Sequence, residues 1–180
     1  MPAPSAVTER FIVGRIDRAL LPAHQDVRIE QTYLRPKNHG EEICIKKRGQ
    51  DDSYLFFLMR TRHTPYTITE EELIDEQQFS TLKKLIDPKT NVLVKERACF
   101  FWNNRHFELD TYRGAYEGLS VLGVEPIEAG TAPDRAAEGQ EGATGANEAR
   151  LSLPPFVSVE RAITSNPRYS ERAMALKKMR

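Results

Sequence analysis

The chain has 180 residues, 39% of them hydrophobic and 29% charged, which is typical of one globular domain. The formal net charge is zero, which excludes a strong overall attraction to nucleic acid or an anionic membrane. Two cysteines, Cys44 and Cys99, are too few for a disulfide framework, and no apolar run reaches membrane-spanning length. We therefore expect a cytoplasmic protein with reduced thiols and no membrane span.

Alternating apolar and polar residues predict strands in the first part of the chain. The runs are ERFIVGRI, VRIEQTYL, EEICIKKR and SYLFFLMRTRH, and RGQDD turns the third into the fourth as a hairpin. The run YTITEEELI fits either a strand or the start of a helix, and we favour a strand for its first half.

One amphipathic helix is predicted in the middle of the chain, over DEQQFSTLKKLI. Phe79, Leu82 and Ile86 fall on one helical face. Asp75 is the candidate N-cap, and Pro88 follows the end.

The remaining chain again favours strands. NVLVKERACFFW and RHFELDTY form a hairpin around Asn103 and Asn104, followed by strands in GLSVLGVEPI and LPPFVSVERAIT and a short helix in RYSERAMALKKMR. Seven or eight strands with few helices predict a mainly β (α+β) fold. We expect an antiparallel, closed or nearly closed barrel with a few external helices.

Composition sets the expected domain boundaries. Residues 1–8 are predicted to be a flexible N-terminus, and residues 9–180 one domain. The stretch EAGTAPDRAAEGQEGATGANEAR contains no aromatic or branched aliphatic residue and cannot form a core. We expect a disordered insertion at about residues 129–149.

Charged residues two positions apart share one face of a strand. For any single pair, a sheet face turned to water is the simpler explanation. Together the pairs segregate by sign, which fits a barrel interior with a basic wall and an acidic wall. The cationic pairs are Lys46 with Arg48, Arg60 with Arg62, and Lys95 with Arg97; the acids are Glu108 with Asp110, and singly Glu30 and Glu125.

The order of motifs resembles the CYTH, or triphosphate tunnel metalloenzyme, superfamily. The matching stretches are IEQTYL (29–34), CIK (44–46), Arg60 at the end of YLFFLMR, KER (95–97), ELDTY (108–112), VLGVE (121–125) and ERAIT (160–164). The closing LPPFVSVERAIT…RYS is most similar to the CYTH-like region of proteins that fuse it to a P-loop NTPase. Some of those are nucleotide- and phosphoinositide-binding trafficking factors.

The resemblance implies phosphorylated ligands in a charged lumen. Mg²⁺ or Mn²⁺ would bridge phosphate and carboxylate oxygens. A triphosphate, a nucleotide or a phosphoinositide headgroup would be the ligand. The implied phosphate-binding residues are Lys46, Arg48, Arg60, Arg62, Lys95 and Arg97, and the implied metal ligands are Glu30, Glu108, Asp110 and Glu125.

Several family acids are missing. The acidic motif of the first strand is broken, and Gly123 and Ala162 stand where the family has glutamates. Cys44 replaces the first arginine of R-x-R. These departures favour a binding domain with weak or no catalysis, and they leave the catalytic residues unknown. The alternative is an active metal-dependent triphosphatase acting on inorganic, nucleoside or thiamine triphosphate.

Two further interpretations remain open. A nucleic-acid-binding β module would use Tyr54, Phe56 and Phe57, but RGQDDSYLFF lacks the spacing of the RNA-recognition strand motif, so no nucleic acid is expected. An interaction scaffold without a small ligand is the other. The chain has no G-x-x-x-x-G-K-[ST], so it has no P-loop of its own, and the resemblance to fusion proteins implies a P-loop NTPase as a partner protein.

Overall fold

The computed structural model describes residues 8–63, 67–125 and 152–177. The predicted insertion at residues 129–149 lies outside the described residues, as do residues 1–7 of the predicted N-terminus. None of the helices in the described ranges is both long and apolar enough to cross a membrane.

The described residues form one antiparallel sheet of nine strands, in the order β5-β4-β3-β2-β6-β7-β8-β1-β9. The prediction of a mainly antiparallel β fold is confirmed. The strand count of nine exceeds the predicted seven or eight, and the run YTITEEELI, predicted to be strand in its first half, is strand up to Ile74. The strands are β1 (Glu9–Ile16), β2 (Gln25–Leu34), β3 (Glu41–Gln50), β4 (Ser53–Arg62), β5 (Ile68–Ile74), β6 (Leu93–Trp102), β7 (Arg105–Tyr112), β8 (Ser120–Val124) and β9 (Val157–Ala162).

Two hairpins connect neighbouring strands through two-residue turns. Asp51 and Asp52 join β3 to β4 with φ of 49° and 63°, and Asn103 and Asn104 join β6 to β7 with φ of 48° and 58°. Positive φ at both central residues gives the turn whose twist matches that of antiparallel strands. Asp and Asn tolerate this conformation better than most residues, which explains their presence at both turns.

The predicted helix is present as α1 (Glu76–Leu82). Asp75 accepts a hydrogen bond from the Gln78 backbone N–H at 2.7 Å, and the Gln78 side chain accepts one from the Asp75 N–H at 2.9 Å. This reciprocal capping box fixes the start of the helix. Phe79 is buried against Phe56 of β4, with ring centroids 4.7 Å apart, so α1 packs on one face of the sheet.

The two faces of the sheet differ in chemistry. We call the face with Ile45, Phe100 and Leu109 the outer face, because these residues are buried in apolar clusters there. We call the opposite face, which carries Lys46 and Arg97, the inner face. Alternation along β3 and β6 puts Lys46, Arg48, Lys95 and Arg97 on the inner face and Ile43, Ile45, Ala98 and Phe100 on the outer face.

The sheet curves around its inner face. Arg10 of β1 and Met59 of β4 line one cavity of about 370 Å³, although five strands lie between β1 and β4. In a flat sheet the six strand spacings would separate them by roughly 29 Å. The inner face is therefore concave. The short helix α2 (Glu171–Ala175) also lines this cavity, through Glu171.

Candidate functional site

The central feature of the inner face is a network of a buried lysine, a half-buried arginine and their carboxylates. Lys95 of β6 donates hydrogen bonds to Asp110 at 2.8 Å and to Glu171 of α2. Arg97 donates from Nε and Nη2 to the two oxygens of Asp110, at 2.7 and 2.9 Å. Its Nη1 also lies 2.6 Å from Oε2 of Glu108. The network joins β6, β7 and α2 through charge-assisted hydrogen bonds, the stronger class of polar contact.

Burial and charge act in opposite directions on the pKa values of this network. Burial alone would raise the pKa of Asp110, but Lys95 and Arg97 outweigh it and hold the pKa below its usual value of 3.8. Burial would likewise raise the pKa of Glu171, and Lys95 and Lys46 lower it below 4.5. Burial would lower the pKa of Lys95, yet Glu171 and Asp110 raise it above 10.5. All these groups are therefore charged at neutral pH.

Further cations surround the network on the inner face. Lys46 and Arg48 of β3 join Lys95 and Arg97 around a smaller cavity of about 110 Å³. The only ion pair of Lys46 within the described ranges is a long one, 3.8 Å from its Nζ to Oε2 of Glu71. Arg10 of β1 lines the larger cavity. Cations from three strands thus converge on one concave surface.

Arg172 of α2 is the further cation of the larger cavity. Its Nη2 donates to Asp87 at 2.6 Å, and its guanidinium lies 4.9 Å from the centre of the Tyr33 ring. Its Nη1 is buried and has no hydrogen-bond partner among the described residues. The Oε1 of Gln31, a residue that also lines this cavity, is likewise buried and has no hydrogen-bond partner among the described residues. Unsatisfied buried polar atoms cost stability, and a ligand or water would relieve that cost.

Four of the six predicted phosphate-binding residues lie together, and two do not. Lys46, Arg48, Lys95 and Arg97 share the inner face and line one cavity. Arg60 and Arg62 of β4 are placed on the outer face, opposite Ile43 and Glu41 of β3. Their charges are paired across the strands with acidic residues of β5. These pairs are Arg60 with Glu72 at 3.5 Å and Arg62 with Glu70 at 3.0 Å.

The predicted metal ligands do not converge. Glu108 and Asp110 point into the cavity from β7, but both are bound to Arg97. Glu30 lies on the outer face of β2, where it accepts a hydrogen bond from Arg28 at 3.1 Å. Glu125 follows β8 and lies 3.1 Å from the His106 Nδ1.

Nothing in the described ranges forms a metal centre. No group of three or more His, Cys, Asp or Glu residues there has a spacing suited to a metal ion. Thr8, which precedes β1, and Arg10 of β1 line the larger cavity, whereas Glu9 pairs with Val124 on the outer face. On β8 the inner face has Val121 and Gly123. The described residues therefore form no such cluster, and we derive no step through a metal ion.

The cysteines behave as predicted for unpaired thiols. Cys44 is buried on the inner face, and Cys99 is half-buried. Burial raises the pKa of the Cys44 thiol to about 12, so this thiol is neutral and unreactive at physiological pH.

Sequence reasoning missed several residues of the site. Gln31 and Tyr33 lie within the quoted IEQTYL, and their alternation with Ile29 was a signal that all three share one face. Glu171 and Arg172 had no such signal. The Lys95–Glu171 contact spans 76 residues of sequence, and only the folded chain brings α2 to the cavity.

No family model and no curated protein matches this chain. Its fold is similar to "The crystal structure of the inorganic triphosphatase NE1496", with a TM-score of 0.63, 19% identity and 97% of each chain covered. For "The crystal structure of the hypothetical protein NE1496" the TM-score is 0.60 and the identity 19%, and the match covers 95% of this chain and 97% of that one. "Structure of PH1819 protein from Pyrococcus Horikoshii OT3" matches with a TM-score of 0.49 and 15% identity, and the match covers 68% of this chain and 79% of that one.

The first two similarities extend over nearly the whole of both chains, and they show that this protein shares their fold. They agree with the predicted antiparallel β fold. The relationship to P-loop fusion proteins remains a prediction.

Proposed function

We propose that the inner face binds a phosphorylated ligand of the triphosphate type and hydrolyses it slowly or not at all. The observation that carries this proposal is the convergence of Lys46, Arg48, Lys95 and Arg97 on one concave surface. Arg10 and Arg172 extend the cationic surface along the same face. A chain of phosphates is the ligand that suits a row of cations better than a single anion would.

The similar fold of a protein described as an inorganic triphosphatase supports the same class of ligand. The loosely paired Lys46 is a donor that an entering phosphate oxygen can use without first breaking a short ion pair. The Nη1 of Arg172, a cavity-lining residue, is buried and has no hydrogen-bond partner among the described residues. Lys95 and Arg97 hold Asp110 tightly, so their contribution is chiefly electrostatic.

Adjacent lysines provide a matched test of binding. Lys46 is on the inner face, whereas Lys47 pairs with Phe56 and lies 3.9 Å from the centre of the Tyr54 ring on the outer face. Calorimetric titration with tripolyphosphate should show binding to the wild type and about tenfold weaker binding to Lys46→Ala, since a charge-assisted contact is worth about 1.5 kcal/mol or more. Lys47→Ala should bind like the wild type. Equal affinities for all three proteins would contradict the proposal.

A phosphate-release assay separates binding from catalysis. Glu108 and Asp110 are both occupied by Arg97, and the other inner-face positions of β1 and β8 supply no carboxylate. We therefore expect slow or undetectable release from tripolyphosphate or nucleoside triphosphate, even with Mn²⁺ present. Rapid metal-dependent release that Glu108→Ala abolishes would establish the alternative, an active triphosphatase.

A further inference from the structure

Three segments of the chain meet at the end of the sheet where β2 ends and β6 begins. The Arg35 N–H donates a hydrogen bond to the Leu85 carbonyl at 2.9 Å, and the Lys177 N–H donates one to the Lys89 carbonyl at 2.8 Å. The segments that these contacts hold together are residues 35–37, 83–92 and 175–177.

The exposed charge of these segments is positive. Asp87 is their one acid, and it is buried and accepts a hydrogen bond from Arg172 at 2.6 Å, so it does not neutralise the exposed cations. Within the described ranges, none of the basic residues of these segments forms an ion pair. These exposed basic residues are Arg35, Lys37, Lys83, Lys84, Lys89 and Lys177.

Aliphatic side chains are exposed among these cations. Their exposed fractions are 50% for Leu85, 37% for Ile86, 51% for Val92 and 44% for Leu176. Single exposed apolar residues need no explanation, but a cluster of them rimmed by polar residues marks an interaction site. We call the six basic residues and these four aliphatic residues the basic apolar patch.

The composition of the basic apolar patch distinguishes between possible partners. The centres of protein–protein interfaces are enriched in aromatic residues and arginine and depleted in lysine. The patch instead has five lysines, one arginine and no aromatic residue. A nucleic acid would use the cations but not the exposed leucines. On an anionic bilayer, by contrast, lysine ammonium groups stay at the headgroups while neighbouring aliphatic side chains enter the acyl boundary.

We infer that the basic apolar patch docks this protein on the surface of an anionic phospholipid membrane without spanning it. The zero net charge of the chain does not prevent this, because attraction to anionic lipid falls off within roughly 10 Å and the local charge decides it. None of these ten described residues lines the inner-face cavities. The inference therefore does not depend on the proposed function.

Flotation of the intact protein with phosphatidylcholine vesicles, with and without phosphatidylserine, tests the charge of the patch. The wild type should float with the anionic vesicles only. Lys83→Gln combined with Lys84→Gln should partition roughly 25-fold more weakly, because each lysine near an anionic surface contributes about fivefold. The control, Arg18→Gln combined with Lys47→Gln, removes the same charge near Thr111 and Tyr54 and should float like the wild type.

A second pair of variants tests the apolar part at constant charge. Leu85→Ser should float several-fold more weakly than the wild type, whereas Leu20→Ser, at a residue 61% exposed outside the patch, should not differ from it. Phosphatidylglycerol should substitute fully for phosphatidylserine, because the patch responds to lipid charge and not to one headgroup. All these variants change exposed side chains, so the fold should be retained.

Four results would overturn the inference. The first is equal flotation with neutral and anionic vesicles, and the second is an equal loss of flotation in the patch variants and their controls. The third is a concentration-dependent dimer, seen by sedimentation, that Leu85→Ser abolishes, which would identify an interface between copies. The fourth is binding of a duplex oligonucleotide, without flotation, that the lysine variant weakens and Leu85→Ser leaves unchanged.

Discussion

Adjacent residues along each strand of this sheet lie on opposite faces. Asp110 shows how charged residues on the inner face are stabilised by partners of opposite charge. Asp110 is 6% exposed and receives hydrogen bonds from both Lys95 and Arg97. It keeps in place two cations that lie two residues apart on the same face of β6. Single residues of the network are thus coupled, and a change at one alters the others.

Removing Asp110 should therefore be costly. In Asp110→Ala, Lys95 and Arg97 lose their shared partner, and breaking a buried ion pair from one side typically costs 3 kcal/mol or more. We expect a decrease of about 3 kcal/mol in the free energy of unfolding, measured with urea. The control Glu70→Ala removes an exposed partner of Arg62 and should change stability far less. Similar losses in both variants would mean that the buried network is not a principal source of stability.

Glu171 competes with any anion for Lys95. In Glu171→Gln the amide no longer neutralises Lys95, so the positive potential of the cavity should increase. We expect tripolyphosphate to bind several-fold more tightly to this variant than to the wild type, in a calorimetric titration. Glu117→Gln, an exposed partner of Arg113, is the control and should not change the affinity. Weaker binding to Glu171→Gln would show that the carboxylate assists the ligand instead of competing with it.

Acid should destabilise the fold through the same carboxylates. The pKa values of Glu171 and Asp110 are held below their usual values of 4.5 and 3.8 in the folded protein. Above about pH 5 both are ionised whether folded or unfolded, and their stabilisation is fully present. As the pH falls below their usual pKa values, the unfolded chain binds protons first and the stabilisation is progressively lost.

Urea unfolding between pH 7 and pH 3 measures this dependence. The wild type should lose stability steadily below about pH 4.5, and Glu171→Gln should show a shallower slope because it lacks one of the two groups. Identical slopes would contradict the assigned pKa shift of Glu171.

At the scale of elements, the β3–β4 hairpin holds Lys46 and Arg48 beside Phe57 and Leu55. Its register depends on the two-residue turn at Asp51 and Asp52, which both have positive φ. The turn therefore determines which side chains of β4 lie beside the cations of β3.

Glycine at the second turn position should stabilise this hairpin. Asp52 has φ of 63°, a conformation that costs residues with a Cβ roughly 1 kcal/mol and costs glycine almost nothing. We expect Asp52→Gly to raise the free energy of unfolding by up to about 1 kcal/mol in urea. Ser53→Gly, at the start of β4, should lower it instead, since glycine weakens an extended strand. A loss of stability in Asp52→Gly would contradict the turn geometry.

At the scale of the whole molecule, some parts of the site could be predicted from the sequence and others could not. Ile43 and Ile45 alternate with Cys44 and Lys46 in β3, so the placement of the lysine on the face opposite the isoleucines was predictable. In β4 the run SYLFFLMRTR has apolar residues at both parities, so alternation does not distinguish its faces. Arg60 was consequently assigned to the wrong face.

Hydrophobic periodicity could not predict the features that depend on contacts between distant parts of the chain. The short helix α2 was predicted from RYSERAMALKKMR, and it is present. Its position against Lys95 depends on the curvature of the whole sheet and on contacts such as the Asn91 N–H to Ala175 carbonyl hydrogen bond at 2.8 Å. Local patterns contain no information on such contacts. The fold class was therefore predictable, whereas the composition of the cavity was only partly so.

The proposed function requires that phosphates bind the inner face and not the outer face. Nuclear magnetic resonance of the arginine side-chain Nε–Hε groups, recorded during titration with tripolyphosphate, tests it at both faces in one experiment. Arg48 and Arg172 line the inner cavities, whereas Arg60 and Arg62 lie on the outer face. We expect saturable chemical-shift changes at Arg48 and Arg172 and none at Arg60 or Arg62. Shifts confined to Arg60 and Arg62 would contradict it.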